Sequence, residues 1–181
     1  MDNKDVVRNH LLNKRRRLTF KRRNAKSEQI ITQLMPRLDG HSNIGIYLSL
    51  KDEVNTTDYL NHFLSNFDSI SSSVVADDDL VFYKINNVRE LKPSHMDILE
   101  PLQTELVEKD SMDVLIIPLV GFDKQCNRIG YGKGFYDRYL MDYKGLKIGL
   151  AFDDQEYPHI PHDENDVALD YIITETRIFK K

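Results

Sequence analysis

Residues 113–122 read DVLIIPLVGF, a run of branched apolar side chains without a regular polar alternation. A strand with one face in water alternates apolar and polar positions, whereas a continuous run of this kind suits a strand covered on both faces, as in a parallel sheet between helices. Pro118 has no N–H to give to a sheet ladder, so it must fall near the end of this strand or at a bulge. Upstream, NIGIYLSL (43–50) reads as a second buried strand, and TTDYLNHFLSNF (56–67) places Tyr59, Leu60, Phe63, Leu64 and Phe67 on a helical stripe. SSSVVA (71–76) and LVFYKI (80–85) read as strands about an acidic turn, Asp77, Asp78 and Asp79. Downstream, FYDRYLMDY (135–143) has the pattern of a helix. LKIGLAF (146–152) and LDYIITE (169–175) add two strands, with Pro158 and Pro161 in the loop between them.

The first forty residues read as helical: in SEQIITQLMPRL (27–38), Ile30, Ile31, Leu34 and Leu38 form the stripe of a helix lying on a core. Ser27 is its expected cap, and Pro36 and Gly40 mark its end. Residues 86–110 are polar and contain Pro93 and Pro101; a loop with a short helix is expected there. Strands that alternate with helices imply an α/β layered domain with a mainly parallel sheet. At 181 residues, with 40% hydrophobic and 30% charged side chains, a single domain spanning 1–181 is the default, able to bury roughly 70% of its unfolded surface.

Cys126 is the only cysteine, which excludes an intramolecular disulfide and a cysteine-rich zinc site and fits a reducing cytosol. The start, MDNKDVVRNH, is too polar for a signal peptide core, and no stretch approaches the roughly 18 apolar residues of a membrane span. A cytoplasmic protein without a membrane segment is therefore expected, and a monomer is the default for want of an evident interface. The net charge of -4 is unevenly spread: KRRRLTFKRRNAK (14–26) holds eight basic groups and no acid. A solvated helix face is the preferred reading of this block, ahead of a nucleic-acid contact, because no nucleic-acid module surrounds it.

RIGYGKGFYDRYL (128–140) alternates Gly130, Gly132 and Gly134 between a strand and a helix. Backbone N–H groups can approach an anion where no Cβ intervenes, and Arg128 and Lys133 would add full charges. The spacing matches neither GxGxxG nor GxxxxGK[ST], so the loop alone does not name a nucleotide. Asp137 is placed to hold Mg²⁺, which takes one or two carboxylates beside waters and phosphate oxygens. A partner carboxylate could come from Asp163, Glu164, Asp166 or Asp170; the residues alone do not choose. Prolines 158 and 161 argue against a helix that would align His159 and His162 on zinc, and Cys126 has no recognisable partner base.

DVLIIPLVGFDKQCNRIGYGKGFYDRYL (113–140), with IYLSLKDEVNT (46–56) and LDYIITE (169–175), resembles the 5-formyltetrahydrofolate cyclo-ligase family, also called 5,10-methenyltetrahydrofolate synthetases. The similarity runs from Lys4 to about Thr174. It implies a three-layer α/β/α domain of the ribose-5-phosphate isomerase and CoA transferase type. The implied activity is an ATP- and Mg²⁺-dependent conversion of 5-formyltetrahydrofolate to 5,10-methenyltetrahydrofolate through phosphoryl activation of the formyl oxygen, with release of ADP and phosphate. Carried over by position, the resemblance implies ATP contacts at Lys4, Arg8, Arg128, Ile129, Gly130, Tyr131, Gly132, Lys133, Gly134, Phe135 and Tyr136. Folate contacts are implied at Leu48 and Glu53, and at Tyr131 to Phe135 between the two substrates; Mg²⁺ falls to Asp137 and Asp166. Arg128 and Lys133 would act on the transferring phosphoryl group. The chain departs from the family pattern at Cys126 and Asp97, where glycine is usual, and in VVADDD (74–79), which lacks a Pro-basic pair.

Overall fold

The computed structural model describes residues 3–94 and 98–181; Asp97 lies outside them. In chain order the strands are β1 (Asn43–Ile46), β2 (Ser69–Ala76), β3 (Asp79–Ile85), a short pair β4 (Lys92–Pro93) and β5 (Leu99–Glu100), then β6 (Leu106–Val107) and β7 (Val114–Pro118). A second short pair, β8 (Gly121–Phe122) and β9 (Arg128–Ile129), precedes β10 (Leu146–Leu150), β11 (Tyr171–Ile173) and β12 (Ile178–Lys180). Eight of these form one sheet in the order β12-β11-β10-β7-β1-β2-β3-β6. The stretch from β11 to β2 is parallel throughout, and β12, β3 and β6 add antiparallel edges.

β7 is central, which explains its unbroken apolar sequence. Val114 and Ile116 enter one buried cluster with Ile30, Leu34, Leu60 and Phe63, whereas Leu115 and Ile117 enter another with Leu140 and Tyr143. Two faces therefore need covering, and helices lie on both. α2 (Phe20–Leu34) and α3 (Leu60–Asn66) cover the first, and α4 (Phe135–Leu140) the second. Pro118 is the last residue of β7, opposite Leu150, where the missing donor disturbs the ladder least. Gly45 in β1 is required by packing: a Cβ there would lie 2.4 Å from Leu115 Cδ2 and 2.8 Å from Met112 Sδ.

Several boundaries differ from those expected. α2 begins at Phe20 and is capped by Thr19, whose side chain accepts from Arg22 N, so Ser27 is not the cap; it sits buried inside the helix, and its Oγ accepts from Asn55 N at 2.9 Å. The strand read over 43–50 stops at Ile46, because side-chain hydroxyls replace strand partners: Thr56 Oγ1 donates to Tyr47 O at 2.6 Å and Ser49 N donates to Thr57 Oγ1 at 2.9 Å. Residues 86–110 hold β4, β5, β6 and two short 3₁₀ turns in place of a loop with one helix. β12 escaped notice, since Ile178–Lys180 is only three residues long and pairs antiparallel at the sheet edge. Among the described residues no helix is long and apolar enough to cross a membrane.

α1 (Lys4–Arg16) belongs to neither helical layer. Val7 and Leu11 pack on Val120, Ile129 and Ile160, against the β8–β9 hairpin that follows β7. This fixes one face of α1 beside the loops at the carboxyl edge of the parallel strands, where ligands of open α/β sheets bind.

Candidate active site

The site starts from a turn. Buried Asp123 accepts from Gln125 N at 3.0 Å, Asn127 N at 3.1 Å, Asn127 Nδ2 at 3.0 Å and Ile160 N at 3.0 Å, which closes the β8–β9 hairpin and anchors the 158–162 loop to it. Beyond β9 the chain enters the glycine loop. Gly132 (φ +97°) and Gly134 (φ +69°) are left-handed, so glycine is needed for the backbone path itself. A Cβ on Gly132 would meet the Arg8 guanidinium at 3.2–3.4 Å, so α1 lies directly beneath the loop.

Lys4, Arg8 and Arg15 reach this region from one face of α1. Lys4 Nζ donates to Asp163 Oδ2 at 2.7 Å and to Asp166 Oδ2 at 2.5 Å. Burial works against this ammonium, but the two carboxylates outweigh it and hold its pKa above the ordinary lysine value. Arg8 Nε donates to Gly130 O at 2.7 Å and its Nη1 pairs with Asp5.

Arg128 is buried at the root of the loop. Its Nη2 donates to Asp137 Oδ1 at 2.7 Å, its guanidinium lies 5.9 Å from the centre of the Tyr136 ring, and its buried Nε has no partner among the described residues. Asp137 Oδ1 also accepts from Val167 N at 3.3 Å, and Asp166 Oδ2 accepts from Asp163 N at 2.7 Å. The 163–167 turn thus brings Asp166 to the end of α4 that carries Asp137. Among the described residues no three His, Cys, Asp or Glu side chains converge on one point. Mg²⁺ needs no such cage, since one or two carboxylates with phosphate oxygens and waters suffice, and these two carboxylates already face the cations Lys4 and Arg128.

On the other side of the loop, Tyr131 folds over Glu53. The Tyr131 hydroxyl donates to Glu53 Oε1 at 2.7 Å, while Glu53 Oε2 accepts from Leu50 N at 2.8 Å. Burial pushes the Glu53 carboxyl above its ordinary value, against the pull of Arg15 and of these hydrogen bonds. The Tyr131 phenol is pushed up by desolvation and by the charge of Glu53; desolvation likewise pushes the half-buried Tyr136 phenol up to about 12.

Other candidate residues are placed differently. Ile129 and Leu48 are buried in core clusters, so a ligand would meet their backbone. Phe135 and Tyr136 are half-buried on the second face of the sheet. Lys133 is exposed and forms no ion pair among the described residues, which leaves its ammonium available at the loop tip. Cys126 is buried with its thiol pushed up to about 11, and so is a poor nucleophile.

Sequence reasoning passed over Arg15 and Asp52. Arg15 lay inside a basic block read as a solvated face, and Arg16, Arg17, Lys21 and Arg22 are indeed exposed, but Arg15 and Arg23 are buried. The spacing Lys4, Arg8, Leu11, Arg15 runs in steps of four, three and four along one helical face and is the signal that could have singled it out.

A mostly parallel α/β sheet here carries a cation-lined glycine loop and two neighbouring carboxylates at its carboxyl edge, the edge at which open α/β sheets hold their ligands. The chain belongs to the 5-formyltetrahydrofolate cyclo-ligase family, whose model matches residues 1–175, and its members are enzymes. A 5-formyltetrahydrofolate cyclo-ligase of Mycoplasma genitalium is 33% identical over 96% of this chain and 98% of its own length. That of Escherichia coli K12 is 28% identical over 92% and 97%. The solved structure of the 5,10-methenyltetrahydrofolate synthetase of Aquifex aeolicus superposes with a TM-score of 0.88 at 30% identity, covering 98% of this chain and 92% of that one.

Proposed function

We propose that this chain converts 5-formyltetrahydrofolate to 5,10-methenyltetrahydrofolate at the expense of ATP, with Mg²⁺. The observation that carries the reading is the convergence of α1, the glycine loop and the 163–167 turn on one edge of the sheet, with a separate buried carboxylate, Glu53, across the loop. ATP with Mg²⁺ would supply phosphoryl activation of the formyl oxygen, a poor leaving group otherwise, so that the anilino nitrogen can close the ring.

The residues divide this work by chemistry. Lys4, Arg8 and Lys133, with the N–H groups around Gly130, Gly132 and Gly134, are the cations and donors that would hold a triphosphate. Asp137 and Asp166 would hold Mg²⁺, Lys4 then passing from carboxylate to phosphate. Arg128 is enclosed between Asp137 and Tyr136, so its first role is to aim Asp137, and its unpartnered Nε is the group left to face a phosphoryl oxygen. Glu53 would accept the paired N–H groups of an aminopyrimidine edge and so orient the formyl oxygen toward the phosphate. Phosphoryl transfer depends mainly on such alignment and charge stabilisation, and no covalent bond to the protein is needed.

Purified protein incubated with 5-formyltetrahydrofolate and Mg²⁺ is expected to raise the near-ultraviolet absorbance of the methenyl product only when ATP is added. Asp137→Ala should lower that turnover by about a hundredfold at saturating Mg²⁺. Absence of any ATP-dependent rise with folded protein overturns the reading; normal turnover in the variant overturns the metal assignment.

A further inference from the structure

Arg15 is the most completely buried cation of the site, with its side chain 1% exposed, 11 residues from the end of the face that begins at Lys4. A buried charge survives only if paired and hydrogen-bonded, and Arg15 meets that condition on every side. Its Nη2 donates to Tyr131 OH at 2.6 Å and to Asp52 Oδ2 at 3.0 Å, its Nε donates to Asp52 Oδ2 at 3.3 Å, and its Nη1 donates to Leu119 O at 3.2 Å. The guanidinium also lies 5.5 Å from the centre of the Tyr131 ring. The loop after β7, the loop after β1 and the glycine loop therefore all meet at one side chain of α1.

The direction of the hydrogen bonds matters. Because the Tyr131 oxygen accepts from Arg15, its single proton is left for Glu53 Oε1, while Leu50 N takes Oε2. Glu53 is thereby an acceptor at both oxygens, the state that an aminopyrimidine edge requires. We propose that Arg15 is a positioning residue for the folate half of the reaction: its planar fork holds the Tyr131 oxygen as an acceptor and so sets the Tyr131 proton toward Glu53. This rests on the folate reading of Glu53 given above. An arginine is suited to the task and a lysine is not, since the fork makes four directed contacts at once.

The groups that face Glu53 set the sign of the pH dependence. They are Arg15 from α1, Asp52 from the same loop, Tyr47 at the end of β1, Tyr131 from the glycine loop and Tyr136 from α4. Arg15 is the cation among them. Burial raises the Glu53 carboxyl and Arg15 opposes the rise. Folate recognition by ionised Glu53 is lost as pH falls through its pKa, so removing Arg15 must move that loss to higher pH.

The test compares Arg15→Met and Arg15→Lys with the unaltered protein across the acidic range. The readouts are KM for each substrate, the melting temperature, and the carbon NMR titration of Glu53 in carboxyl-labelled protein, assigned with Glu53→Gln. Arg15→Met is expected to raise KM for 5-formyltetrahydrofolate about tenfold near neutrality, the scale of one charge-assisted hydrogen bond. KM for ATP should stay near its original value, while the acid limb and the Glu53 titration both move upward in pH. Arg15→Lys should keep the titration close to its original position yet still raise KM for the folate. A folded Arg15→Met with an unmoved titration, or Arg15→Lys with an unaltered folate KM, overturns the proposal; the second result decides even if Arg15→Met fails to fold. Absence of turnover in the unaltered protein counts against the folate reading, and the Glu53 titration still decides whether Arg15 keeps that carboxylate ionised.

Discussion

At the scale of single residues, the site divides between groups already satisfied by the protein and one that is not. Lys4, Arg8, Arg15 and Arg128 each have acceptors within the chain, so a ligand must exchange with those partners. Lys133 has no such competition among the described residues, and its contribution to ATP binding should appear undiminished. Lys133→Ala is expected to raise KM for ATP about tenfold with little change in stability, by steady-state kinetics. An unchanged KM would leave the lysine as filler at the loop tip. Cys126 shows a different economy: it sits at φ +62° and donates its N–H to Asp123 O at 3.0 Å, a left-handed turn position where glycine costs nothing. Its side chain is recovered by the second buried cluster, which accounts for a non-glycine residue in a glycine position.

Elements explain what was legible in the sequence and what was not. β7 could be read because burial on both faces writes itself as Leu115, Ile116 and Ile117 in succession, and α3 because its stripe is amphipathic. The glycine loop was legible as a turn between strand and helix, since Gly132 and Gly134 take left-handed backbone there. The end of β1 was not, because it depends on Thr56 and Thr57 folding back onto Tyr47 and Ser49. Arg15 was missed for a related reason: a helical face shows which residues share a side, but the partners that bury Arg15 come from positions 52, 119 and 131. Gly45 gives a test of the β1–β7 packing. Gly45→Ala places a methyl against Leu115 and Met112 and is expected to cost about 1–3 kcal/mol, seen as a lower denaturation midpoint at constant m. A midpoint equal to that of the original chain would mean that the sheet has room that its packing does not show.

For the molecule as a whole, α1 couples the two halves of the proposed site. Its amino-terminal turn touches the 163–166 turn through Lys4, its middle the glycine loop through Arg8, and its last turn the Glu53 side through Arg15. Ligands that engage these loops should therefore stabilise a helix that lies in neither covering layer. Saturating ATP with Mg²⁺ is expected to slow amide hydrogen exchange in residues 4–16 more than in α2, and the folate to slow it further. Equal protection of both helices would show that α1 is held by its apolar contacts alone.

The same arrangement bears on how the chain is made. α1 is translated well ahead of most of the loops that receive it: Lys4 waits 159 residues for Asp163, Arg8 waits 122 for Gly130 and Arg15 waits 116 for Tyr131. Until those later loops leave the ribosome, Asp52, 37 residues on from Arg15, is the partner this basic helix can reach, and its other cations stand in solvent beside a polyanionic particle. Completion of the site is then a late event in synthesis, when the 163–166 turn emerges and draws the helix onto the finished sheet.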